Sequence, residues 1–66
     1  MKDKPDYSGM TVNERLYEAG LLDAWDEAVR GGNRSRMIEV LLEVDLAHDA
    51  EPISDAVLAN PKFYGF

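Results

Sequence analysis

A chain of 66 residues with no cysteine holds one domain at most, with no disulfide or thiolate metal site to staple it, so packing or self-association must stabilise it. Apolar residues form 45% of the chain, an ordinary globular share that argues against disorder, and they never run long enough for a membrane span. A formal net charge of −6 excludes a generic nucleic-acid binder, which needs a broad basic face.

The opening MKDKPDYSGM reads as a flexible lead-in over residues 1–10, because Pro5, Ser8 and Gly9 interrupt it and no apolar period starts before Met10. Its charges and proline stand where a signal peptide needs an apolar core, so a cytoplasmic protein is expected, with residues 11–66 as a single domain. Thr11 and Glu14 then have the spacing of a capping box, followed by Val12, Leu16 and Ala19 at helical intervals. Gly20 suits the left-handed position that ends a short helix. Next, Leu21, Leu22, Trp25, Ala28 and Val29 form an amphipathic stripe, with acids early, Arg30 late and Gly31-Gly32 as the stop.

Asn33 is a suitable N-cap for a third helix running to about Leu46, with Met37, Ile38, Leu41 and Leu42 as its inner face. Ile38, Val40, Leu42, Val44 and Leu46 also alternate as a strand would. A lone strand has nothing to pair with here, so helix is the better reading. Asp49 can cap a fourth helix that tolerates Pro52 in its first turn, turns Ile53, Ala56 and Val57 inward, and ends at Asn60-Pro61. The expected fold is all-α, a bundle of about four short helices. The closing NPKFYGF is expected to dock on it, with Phe63 and at least one of Tyr64 and Phe66 against Leu16, Trp25 or the third helix.

Candidate chemistry is sparse. His48 is the one histidine, and with Asp45, Asp49 and Glu51 it is read as cap and dipole partner at a helix junction rather than as a metal site. No nucleophile–base spacing appears, so neither an enzyme nor a cofactor is expected. Residues 30–36 carry three arginines and no acid, whereas residues 37–55 carry six acids and no Lys or Arg. Arg34 and Arg36 stand at a helix start, where the dipole favours acids. Together with Arg30 and Asn33 they form a candidate site for an anion or a partner's carboxylate. The competing reading makes the arginines bridges to neighbouring acids. Trp25, Tyr64 and Phe66 form a candidate partner patch, since four short helices carry more apolar surface than so short a chain encloses.

The stretches TVNERLYEAGLLDAW and VLANPKFYGF resemble a set of short bacterial proteins with a TVNERL…AGLL opening and an L-A-N/D-P…YG-aromatic ending, over roughly residues 11–66. The resemblance implies a small cytoplasmic domain and brings no activity with it. The function expected from the residues is a non-enzymatic domain that binds another protein, or itself, through an apolar patch ringed by acids. An antitoxin- or immunity-type inhibitor covering a basic enzyme site, or a small anion binder at Arg30, Arg34 and Arg36, are the alternatives.

Overall fold

Helix α1 spans Val12–Ala19, α2 Leu22–Arg30, α3 Arg34–Glu43 and α4 Ala50–Ala59, and a single 3-10 turn, Pro61–Tyr64, follows. The computed structural model describes residues 7–66, and among these there is no strand and no helix long and apolar enough to cross a membrane. The third segment is thus helical, despite its alternating apolar residues. Helix α3 packs against both α2 and α4, while α1 packs on α2.

The helix ends are written into the sequence. In the α1 capping box the Glu14 amide donates to Thr11 Oγ1 at 3.1 Å, and the Thr11 amide donates to Glu14 Oε1 at 2.9 Å. Gly20 ends α1 at φ 73°, and the Leu21 amide then donates to the Leu16 carbonyl at 2.8 Å. This six-to-one bond across a left-handed residue recurs after α2, where Gly32 has φ 65° and Asn33 bonds back to Ala28 at 2.8 Å. It recurs again after α3, where the left-handed residue is Asp45 (φ 64°) and Leu46 bonds back to Leu41 at 3.0 Å. Helix α3 therefore stops at Glu43 rather than near Leu46. Aspartate supplies the left-handed geometry at that end without a glycine to announce it.

The core differs from expectation in four places. On α3 the buried face is Met37, Val40, Leu41 and Val44, at offsets 0, 3, 4 and 7, whereas Ile38 is half-buried and Leu42 is 48% exposed. With α2 and α4 on its two sides, α3 turns its valines inward and Leu42 out. On α4 the buried residues are Ala50, Ser54 and Val57, with Ile53 half-buried and Ala56 exposed; Asp49 occupies the N-cap position but makes no capping bond. Tyr7, expected in the flexible lead-in, is only 4% exposed and belongs to the core, and Met10 packs against it. The boundary at residue 10 is therefore too late, and residues 1–6 lie outside the described residues. The fourth difference lies in the tail. Phe63 is 76% exposed and not docked, while Phe66 packs against the core.

Ser54 is fully buried, and its hydroxyl has no hydrogen-bond partner. An unsatisfied buried hydroxyl costs about 1–3 kcal/mol, and serine is a poorer helix former than alanine. Ser54→Ala should therefore raise the thermal midpoint by about 4–8 °C, the shift that ~1 kcal/mol gives in a domain of this size. A lower midpoint would mean that the hydroxyl is paired in solution.

Candidate functional site

Two helix faces that turn away from the α3 core form the walls of an open groove. On α2, Leu22, Trp25, Asp26 and Arg30 lie along one side, and on α4, Asp49, Pro52, Ile53 and Ala56 recur at offsets 0, 3, 4 and 7 along the other. The start of α1 and the tail complete the lining of this concavity of about 820 Å³. Trp25 lines the groove while almost wholly buried, so little of its indole meets water there.

The tail reaches this place through two turns. Asn60-Pro61 ends α4 and opens the 3-10 turn, and Gly65 at φ 93° then reverses the chain so that the Phe66 amide donates to the Pro61 carbonyl at 3.0 Å. That brings the Phe66 ring beneath the Arg30 guanidinium, 5.8 Å from its centroid, at cation–π distance. Phe63 and Tyr64 meet edge to face at 5.0 Å between centroids, and Tyr64 stays 46% exposed at the groove mouth. The candidate partner patch of Trp25, Tyr64 and Phe66 is thus brought to one concavity, although about forty residues of sequence separate Trp25 from the other two.

The candidate anion site is not assembled in the same way. Arg30 lines the groove, over Phe66. Arg34 points to α4, donating from Nε and Nη2 to the two carboxylate oxygens of Asp55 at 2.7 and 3.3 Å, with Glu51 at 3.8 Å. Arg36 pairs with Glu39 on its own helix at 3.2 Å, and the Asn33 side chain accepts from the Arg36 amide at 3.1 Å as the N-cap. The structure thus favours the bridging reading for Arg34 and Arg36. His48 is exposed in the turn before α4, and among the described residues no three His, Cys, Asp or Glu side chains gather in a way that could hold a metal.

The hydrogen bond and charge of Arg34 hold the Asp55 carboxyl below its ordinary value, and Asp55 in turn raises the already basic Arg34. A depressed carboxylate contributes stability that is present above its unfolded pKa and lost as pH falls through the folded value. Both groups are solvent-exposed, so the contribution is small and screened by salt. Asp55→Asn should melt slightly below the parent at neutral pH and low salt, and the difference should close as pH falls below the carboxylate range. A difference that persists in strong acid would assign the effect to packing.

Several groove residues were not evident as such in the sequence, among them Asp26, Asp49 and Pro52. For Asp49 and Pro52 the signal was the second 0, 3, 4, 7 stripe of α4, offset from the buried Ala50, Ser54 and Val57, and for Asp26 its position one residue after Trp25 on the α2 stripe. Comparison with protein-family models, with curated proteins and with solved structures finds no match to this chain.

Proposed function

We propose that this chain is a non-enzymatic helical domain that binds another protein, and that the groove between α2 and α4 is its docking surface. The observation that carries this reading is the convergence of Trp25, Tyr64 and Phe66 with Ile53 and Leu22 on one open concavity. A chain this small gains stability from every apolar side chain it can bury. It nevertheless leaves most of Phe63 and nearly half of Tyr64 in water beside that concavity. Exposed aromatics next to a groove are the composition of binding surfaces, where Tyr, Trp and Phe anchor the partner.

A photoreactive phenylalanine analogue in place of Tyr64, expressed in the native cells, tests the reading. The expected result is one discrete cross-linked protein, lost when Ala56, an exposed α4 residue lining the groove, is replaced by Arg. Cross-links that are diffuse, or indifferent to Ala56→Arg, would remove the groove from the interface. The inhibitor reading draws support from exposed acids on α3 and α4, Glu43 among them. It predicts instead that the same analogue at Glu43 captures a basic enzyme.

A further inference from the structure

Resting on the docking reading above, we infer that the groove takes an amphipathic helical segment of a partner protein, apolar on the face it inserts and bearing Lys or Arg beside it. The walls are apolar, but three charged residues line them, and their states differ. Arg30 is the only cation among the described residues that line the groove, and its guanidinium lies over the Phe66 ring of the chain's own tail. Asp26 is half-buried on α2, and Asp49 stands at the start of α4 without capping it. Neither carboxylate has a hydrogen bond or an ion pair among the described residues. Two unneutralised carboxylates beside an apolar surface call for a cation from outside, because covering them unpaired would cost their hydration without return.

The shape favours a helix as the occupant. Both walls are helices, and the described residues contain no strand, so no exposed sheet edge is offered for a partner strand. Affinity must come from side chains inserted between the walls. At about 1.5 Å per residue, nine residues of α2 span roughly 14 Å, room for two to three turns of a helix with anchors at i, i+3 or i+4, and i+7. A second copy of this chain is a poor occupant. At a net charge of −6 it would bring acids to acids, since Arg30 is the only Lys or Arg on α2 and α4.

The test is a titration of the isotopically labelled full chain, followed by amide and indole chemical shifts. The probes are three designed helical peptides with identical leucine anchors and with Lys, Gln or Glu on the polar face. The Lys peptide should shift the Trp25 indole and the Ile53 and Ala56 amides saturably. It should bind roughly 3- to 30-fold more tightly than the Gln peptide, the gain expected of two modest ion pairs. That preference should fall with added salt and vanish in the double variant Asp26→Asn, Asp49→Asn, whose exposed or half-exposed positions leave the core untouched. Equal binding of all three peptides in the groove would overturn the basic partner and leave the docking reading standing. Failure of every peptide to bind would overturn the helical occupant, with the Tyr64 cross-link still deciding the docking surface. Shifts confined to residues outside the groove would overturn both. If the same resonances move on dilution of the chain alone, a second copy is the occupant and the inference is wrong.

Discussion

Leu41→Ala should leave most of the chain unfolded at room temperature, whereas Leu42→Ala should melt within a few degrees of the parent. Leu41 is fully buried between the helices that flank α3, and Leu42, the next residue, is 48% exposed. A buried leucine cut to alanine costs about 2.7–5 kcal/mol, because the apolar transfer energy is lost and the cavity refills only in part. A core of this size rarely leaves more than about 3–5 kcal/mol of net stability. The first substitution therefore consumes the whole margin, and the second removes surface that water already touches. Urea midpoints at constant slope would measure both. The pair also tests the secondary structure. In a strand, Leu42 would share a face with Val40 and Val44 while Leu41 faced the other way. Equal costs for the two leucines, or a larger one for Leu42, would contradict the helical arrangement of α3.

The same segment shows how far the fold could be read from residues. Thr11 and Glu14, Gly20, and the Gly31-Gly32 pair fixed the first two helices, because a cap or a left-handed glycine acts through its immediate neighbours. The end of α3 was hidden, because Asp45 adopts left-handed geometry that its residue type permits without requiring. The inner face of α3 was hidden for another reason. Met37, Ile38, Val40, Leu41 and Leu42 cover a wide apolar arc, and only the positions of α2 and α4 decide which part of it is covered. The groove was half legible. Trp25, Tyr64 and Phe66 could be chosen on chemistry, but their convergence depends on the reversal at Gly65, and Phe63 could not be told from Phe66 before that turn was known.

Arg15→Ala is expected to destabilise the chain by about 2–4 kcal/mol, the cost of two hydrogen bonds made by a charged donor. No charge pattern in the sequence singles this residue out, yet it joins three parts of the fold. Its Nη1 donates to the Val44 carbonyl at 2.9 Å, at the end of α3, and its Nε donates to the Met10 carbonyl at 3.2 Å, ahead of α1. The guanidinium also lies 5.9 Å from the centroid of the buried Tyr7 ring. A cation at a helix C-terminus meets carbonyls that have no partner within the helix, so its removal leaves them unpaired as well as removing the charge. The thermal midpoint should fall by about 8–32 °C at roughly 4–8 °C per kcal/mol. Arg15→Lys separates charge from geometry. A single ammonium can reach one carbonyl, whereas the planar guanidinium serves two acceptors and a ring together. The Lys variant should therefore recover less than half of the loss, and Tyr7 should remain more accessible to solvent by fluorescence quenching than in the parent. Full recovery by lysine would show that charge near the end of α3 is sufficient. An unchanged midpoint in the Ala variant would show that α1, α3 and the Tyr7 segment hold together by apolar contact alone.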